Sequence, residues 1–141
     1  MIRAVVDTSV LIRYLIKPSA AIQALIEEHW IGGDIEMVTA PSLIEELRGV
    51  LQRDYIEALI QTAEGQALLE AIYRKADILP RIAEVPSYTR DPKDDKFIAC
   101  ALAGKAEYVI TVDKDLLVLG ALQDVRVTTP YEFVNRLEAQ A

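Results

Sequence analysis

The chain has 141 residues, of which 52% are hydrophobic and 26% are charged, and its formal net charge is −7. This composition excludes a disordered chain, and the length predicts one domain, residues 1–141, around a single core. No apolar run reaches the roughly 20 residues of a membrane span, and Arg3, Asp7 and Arg13 interrupt the first apolar stretch too early for a signal peptide, so we expect a cytoplasmic protein with no membrane partner.

The first half of the chain begins with IRAVV, a β-branched run that predicts a strand. TSVLIRYLI follows with the spacing of a helix, which places Asp7 at the carboxyl end of the strand. After Pro18, SAAIQALIEEHWI predicts an amphipathic helix closed by Gly32 and Gly33. IEMVTA predicts a second strand, and PSLIEELRGVLQR predicts a helix with Pro41 in its first turn.

In the second half, residues 54–79 have helical periodicity and predict two helices that meet near Gly65. AEVPSYTRDP predicts a loop, followed by a helix over residues 92–103, the strand YVITV, a short helix KDLLVLG, the strand VRVTT and a last helix from Pro130. Because strands alternate with helices, the sequence predicts an α/β fold of three layers, α/β/α, with a central, mostly parallel sheet.

Helix capping explains several of the acidic residues. DPKD predicts a helix start with Asp91 as N-cap and Asp94 in the first turn, where negative charge is favourable. Asp113 in VDKD can cap the next short helix in the same way. SLIE resembles a capping box that would occupy Ser42 and Glu45.

The remaining carboxylates fall where they can face one cleft. Asp7 and Asp113 end strands, and ligands of parallel sheets bind beyond the carboxyl ends of strands. At about 100° per residue, Glu45 lies opposite the apolar stripe of its helix and faces water, whereas Glu46 lies at the edge of that stripe. Asp95 lies on the margin of the stripe of the later helix. Asp7, Glu46, Asp95 and Asp113 can therefore converge.

Converging carboxylates repel one another unless cations lie among them, and Mg²⁺ or Mn²⁺ prefer oxygen ligands of this kind. This chemistry suits phosphodiester hydrolysis, in which a metal lowers the pKa of a water. The chain has no Gly-rich phosphate loop and no Cys/His zinc spacing. Cys100, inside FIACALA, predicts core packing, and His29 predicts a surface or packing residue.

The net charge argues against simple electrostatic capture of nucleic acid, because a binding face normally carries an excess of Lys and Arg. Cations held by carboxylates would reduce the negative field that a phosphate backbone meets. The net charge therefore does not exclude a nucleic-acid partner.

Five segments, taken in order, resemble a PIN domain: VVDTSVLI, SLIEELRGVL, DPKDDKFIACAL, VITVDKDLL and VTTPYEFVNRL. They are most similar to the branch of toxin components of toxin–antitoxin systems, and the resemblance covers the whole chain. It implies a Mg²⁺- or Mn²⁺-dependent endoribonuclease that hydrolyses RNA by attack of water. The residues that it implies are the catalytic metal ligands Asp7, Glu46, Asp95 and Asp113, the orienting hydroxyls Ser9 and Thr111, an assisting Asp115, and Glu45 and Asp94 as adjacent rivals.

The resemblance also bears on partners. A toxin of this branch is held by an antitoxin that places a basic or bulky segment in the acidic cleft, and family members are often homodimers. The Trp30 region with the first two helices is a candidate dimer contact, and core packing is the alternative for it.

Two other classes of function compete with the nuclease. One is a catalytically weak binding module of the same fold, whose acidic cleft serves protein contact. The other is a phosphoryl-accepting switch of the receiver type, which lacks support because VVDTSV offers one aspartate where an adjacent acidic pair is expected. Metal binding without RNA cleavage would favour the module, and acid-labile phosphate would favour the switch.

Overall fold

The structure is a computed structural model that describes residues 1–82 and 92–140. The predicted N-cap Asp91 and most of the predicted loop lie outside the described residues.

A six-stranded sheet with the order β3-β2-β1-β4-β6-β5 forms the centre of the structure. The strands are β1 (Ile2–Val6), β2 (Ile35–Thr39), β3 (Asp77–Ile78), β4 (Tyr108–Ile110), β5 (Ala121–Leu122) and β6 (Val125–Thr128). All neighbouring strands pair in parallel except β5, which is antiparallel to β6. The sheet is therefore mostly parallel, as the alternation of elements predicts.

The described residues also form eight α-helices, one π-helix and one 3₁₀-helix. In chain order they are α1 (Thr8–Ile16), α2 (Ala20–Gln23), the π-helix (Ala24–Trp30), α3 (Pro41–Leu51), α4 (Asp54–Glu57), α5 (Thr62–Lys75), the 3₁₀-helix (Pro92–Asp94), α6 (Asp95–Ala103), α7 (Lys114–Leu117) and α8 (Pro130–Gln140).

The helices cover both faces of the sheet. Successive side chains of a strand point to opposite faces, so Ala4 and Val6 join the core formed with α1, α2, the π-helix, α5 and α8. Val5 joins the core on the other face, formed with α6 and α7. The three-layer α/β/α architecture is confirmed, and the sheet divides the buried residues into two clusters where the sequence predicted a single core.

The segment 54–79 differs from its prediction. The helix break lies at residues 58–61, between α4 and α5, and not at Gly65. Gly65 is buried inside α5 and faces Leu51. Residues Asp77–Ile78 extend the sheet as β3. Helical periodicity describes only neighbouring residues and could not show this strand. The strand is held by a contact between distant residues, since Arg3 on β1 binds the Asp77 carboxylate at 2.7 Å.

Two local predictions are also corrected. The capping box is wrong, because Ala40 is the N-cap of α3 and makes no side-chain cap hydrogen bond, so Ser42 lies inside the helix. The hairpin of β5 and β6 was missed, since its turn uses Gln123 at φ 53°, a conformation for which Gln gives no sequence signal.

Trp30 is 2% exposed and packs in the core, which is the alternative that the sequence offered for it. A dimer contact of the surrounding region stays a prediction. Cys100 is buried as predicted, and burial raises the pKa of its thiol to about 12. Among the described residues, no single helix has the length and hydropathy of a membrane span. One bent pair, Thr8–Ile16 with Ala20–Trp30, passes on combined length and composition alone.

Candidate metal centre

Asp7 lies at the junction of β1 and α1 and is 4% exposed. It caps α1, and its Oδ1 accepts from the Ser9 backbone N–H at 3.4 Å. Its Oδ2 accepts from Ser9 Oγ at 2.9 Å and from Thr111 Oγ1 at 2.6 Å. Burial raises the pKa of Asp7, which the hydroxyl hydrogen bonds oppose and the nearby Glu46 carboxylate increases. The hydrogen bonds thus fix the orientation of the Asp7 carboxylate, while burial disfavours its ionised form.

Thr111 connects Asp7 to the next strand of the sheet. β1 and β4 are parallel neighbours, so their carboxyl ends meet at one edge. The buried Thr111 hydroxyl donates to Asp7 and accepts from the Asp113 backbone N–H at 2.9 Å. Asp113 then caps α7, as predicted, by accepting from the Asp115 N–H at 2.9 Å. A single hydroxyl therefore sets the relative position of the two strand-end aspartates.

Three carboxylates cluster beside this junction. Asp94, Asp113 and Asp115 each offer an oxygen, and these oxygens lie within 4.8 Å of one another. Asp94 is buried, and the other two are partly buried. Like charges at this spacing repel in partial burial, and a divalent cation with oxygen ligands removes the repulsion. The donor set thus fits a hard cation such as Mg²⁺ or Mn²⁺.

Glu46 is partly buried on α3, whereas Glu45 is exposed, and this difference is the one that the helical angle predicts. Glu46 Oε2 accepts from the Thr8 hydroxyl, and Oε1 lies 2.7 Å from Lys96 Nζ. Sequence reasoning missed both partners. Thr8 directly follows Asp7, and Lys96 directly follows Asp95. Their positions next to predicted ligands were the one sequence signal that could have indicated them as partners of Glu46.

Asp95 is buried at the start of α6, and the three-carboxylate group contains its neighbour Asp94. The prediction placed the helix start at Pro92, whereas residues Pro92–Asp94 form a 3₁₀-helix. A 3₁₀-helix has 3.0 residues per turn, so the angular position of Asp94 differs from the one that an uninterrupted α-helix gives. The sequence assigned Asp94 to the first helical turn and favoured Asp95 as the ligand, and that choice stays a prediction.

The fold and this site define a class: an α/β protein with an acidic centre at the carboxyl edge of a parallel sheet. The chain belongs to the PIN domain family, since the family model described as PIN domain matches residues 3–115. No curated protein sequence matches the chain.

Solved structures agree with this assignment at the level of the fold. PAE2754 from Pyrobaculum aerophilum is 16% identical, with a TM-score of 0.62, and the match covers 99% of this chain and 91% of that one. FitAcB from Neisseria gonorrhoeae is 18% identical, with a TM-score of 0.55 and coverage of 91% and 98%. The PIN domain of human SMG5 is 14% identical, with a TM-score of 0.52 and coverage of 96% and 98%.

Proposed function

We propose that residues 1–141 form one nuclease domain, a Mg²⁺- or Mn²⁺-dependent endoribonuclease that hydrolyses RNA phosphodiesters. PIN domains are generally nucleases. The observation that carries the proposal is the group of three carboxylate oxygens within 4.8 Å of one another, next to the buried strand-end Asp7.

Asp94, Asp113 and Asp115 are the residues that would hold the cation, with Asp7 joined to them through Thr111. Mg²⁺ or Mn²⁺ bound there would lower the pKa of a coordinated water, and its positive charge would stabilise the departing oxygen. The chain's own contribution is orientation: the hydroxyls of Ser9 and Thr111 hold Asp7 in one rotamer.

The other side of the cleft is held by an ion pair. Thr8 and Lys96 contact the two oxygens of Glu46, and the Lys96 ammonium places a positive charge beside this carboxylate. We propose Glu46 and the buried Asp95 as further members of the ligand set, and Lys96 as the residue that holds the Glu46 carboxylate in position.

A basic pocket beside the acidic centre supports a polyanionic substrate. Its volume is about 190 Å³, and it is lined by Arg13 and Lys17 of α1, the exposed Tyr131 of α8, and Val112, the residue before Asp113. Within the described part of the chain, neither Arg13 nor Lys17 forms an ion pair. Arg13 lies six residues after Asp7, about 9 Å along the helix axis. We propose that this pocket receives a nucleotide next to the scissile phosphate.

The composition of this pocket favours single-stranded RNA over a duplex. Cations neutralise phosphates, and an exposed aromatic ring stacks on a base that is free of pairing. Local positive charge of this kind offsets the net charge of −7. We therefore propose that Arg13, Lys17 and Tyr131 guide the RNA backbone to the acidic centre.

The similarity of the motifs to the toxin branch supports further proposals about context. We propose that the protein acts in the cytoplasm as the toxin of a toxin–antitoxin pair, that an antitoxin covers the acidic cleft, and that the toxin forms a homodimer.

The test of the proposed activity is incubation of purified protein with a mixed RNA pool, with and without Mn²⁺, and mapping of the cut ends. We expect cuts that need Mn²⁺ and that disappear in Asp113→Asn and Glu46→Gln. Glu45→Gln is the matched control, since it removes the same charge from the exposed face of the same helix, and should cut at the native rate. Mn²⁺ binding without cleavage by the native protein would support the binding module instead.

A further inference from the structure

A second group of candidate ligands lies away from the acidic centre. Glu28 and His29 belong to the π-helix, and Glu138 belongs to α8. One oxygen of each glutamate and one ring nitrogen of His29 lie within 4.8 Å of one another. The π-helix leads to the amino end of β2, and Glu138 is eight residues along α8 from Pro130, about 12 Å. The group is therefore distinct from the centre at the carboxyl edge.

The hydrogen bonding of the His29 ring suits a metal ligand. The residue is 9% exposed, and its Nδ1 lies 3.0 Å from Asp34 Oδ2. Its Nε2 is buried and has no hydrogen-bond partner among the described residues. When Nδ1–H donates to a carboxylate, Nε2 carries the free lone pair, and this is the arrangement that metal-binding histidines use. A buried nitrogen of this kind needs a partner, and a cation would supply one.

The local backbone explains why Asp34 reaches the ring. A side chain at Gly32 would place its Cβ 2.0 Å from the Glu28 carbonyl oxygen, so only glycine lets the chain leave the π-helix there. Gly33 then adopts φ 95°, which turns the chain back so that the Asp34 N–H donates to the His29 carbonyl at 2.7 Å. The glycine pair thus positions the carboxylate that orients the imidazole.

The two glutamates are available to a ligand. Both are exposed, and in residues 1–82 and 92–140 neither has an ion-pair partner. Two carboxylate oxygens and one imidazole nitrogen form a mixed donor set. Zn²⁺ binds such sets, whereas Mg²⁺ prefers oxygen ligands alone.

We propose that Glu28, His29 and Glu138 form a second cation site, selective for Zn²⁺ or a similar transition-metal dication, that fastens α8 to the π-helix. Water completes the coordination, since the two glutamates are open to solvent. The site has a structural role and does not depend on the nuclease activity.

The test is calorimetric titration of Zn²⁺ into chelator-treated protein, with the melting temperature measured in parallel. We expect Zn²⁺ to bind and to raise the melting temperature, and Glu28→Gln and Glu138→Gln each to weaken this binding about tenfold or more. Both changes are at exposed positions, so the variants should fold. Glu70→Gln, an exposed change of the same kind on α5, should bind Zn²⁺ as the native protein does.

A direct readout uses the histidine itself. His29 is the only histidine in the sequence, so the imidazole nitrogens give one isolated set of NMR signals, and the Nε2 resonance should shift on addition of Zn²⁺. The proposal is overturned if that resonance does not move, or if both glutamate variants bind Zn²⁺ with native affinity. It is also overturned if Zn²⁺ binding disappears in Asp113→Asn, because the ion would then occupy the acidic centre.

Discussion

The burial of Asp7 opposes its ionisation. The folded-state pKa lies above the ordinary value of 3.8, chiefly because burial removes water from the carboxylate. Such a group binds protons more tightly in the folded than in the unfolded protein, so its contribution to stability falls as the pH rises from 3.8 through the raised pKa. At neutral pH the ionised Asp7 destabilises the metal-free protein.

Asp7→Asn should therefore raise the free energy of unfolding at pH 7 in the presence of a chelator, while it abolishes cleavage. The amide oxygen can take the place of Oδ2 and still accept from the Ser9 and Thr111 hydroxyls, so these two hydrogen bonds remain. The long bond from the Ser9 backbone N–H to Oδ1 is lost. The advantage should shrink as the pH falls from the raised pKa towards 3.8 and should be lost below 3.8, where Asp7 is protonated in both states. Urea unfolding at several pH values measures it, and a variant less stable than the native protein at pH 7 would contradict the account.

Substitution of single residues also distinguishes the metal-binding roles of Asp94 and Asp95. Because the Asp94 carboxylate lies within the group formed with Asp113 and Asp115, Asp94→Asn should weaken Mn²⁺ binding about tenfold or more, and more than Asp95→Asn does. Titration of both variants with Mn²⁺ gives the comparison. A larger loss in Asp95→Asn would return the ligand role to the residue that the sequence favours.

At the scale of elements, the sequence predicted what is local. The strand ends at Asp7 and Asp113 and the facing of Glu46 follow from hydrophobic spacing and caps within one element. The errors concern contacts between distant segments or a change of helical period. β3 is paired through β2 and through Arg3. Residues Pro92–Asp94, predicted as part of the later helix, form a 3₁₀-helix. Only the packed structure shows that His29 Nε2 is buried and has no hydrogen-bond partner in residues 1–82 and 92–140.

Arg3 is the residue that joins three strands, and its removal tests this contact. Its guanidinium binds Glu36 on β2 and Asp77 on β3, and it donates to the Gly104 carbonyl at 2.8 and 3.0 Å. Arg3→Met keeps the aliphatic stem and should lower the free energy of unfolding by roughly 1 to 3 kcal/mol.

Chemical denaturation measures this change. Arg74→Met removes an exposed arginine from α5 and should change stability by less than about 0.5 kcal/mol. Equal effects of the two substitutions would show that the Arg3 contacts add no stability to the sheet.

The basic pocket predicts an effect on RNA binding that is separate from catalysis. In an Asp113→Asn background, which should not cut, Arg13→Ala with Lys17→Ala should weaken binding of single-stranded RNA about tenfold. The same pair should reduce the salt dependence of binding, by about 0.7 in the log–log slope for each phosphate that the protein no longer neutralises. Filter binding at several salt concentrations measures both quantities.

The control for this prediction is Arg74→Ala with Lys75→Ala in the same background. This pair changes the net charge equally outside the pocket and should leave the affinity near that of the background. Equal losses of affinity in the two pairs would indicate an effect of net charge alone.

At the scale of the whole molecule, an acidic protein can act on RNA if its charges are segregated. The carboxylates gather at the carboxyl ends of β1 and β4, where a cation can neutralise them, and the cations of α1 line the adjoining pocket. The fold supplies this separation because parallel strands end together at one edge. The net charge of −7 thus describes the surface average and not the site.

The most direct test of the central claim is a pair of curves recorded on the same protein sample: Mn²⁺ bound, and the cleavage rate of one RNA, each against Mn²⁺ concentration. If the clustered carboxylates hold the catalytic cation, the two curves share a midpoint, and Asp113→Asn moves both to higher Mn²⁺ or abolishes both. Cleavage that persists in excess chelator, or Mn²⁺ binding that saturates with no cleavage, would contradict the account.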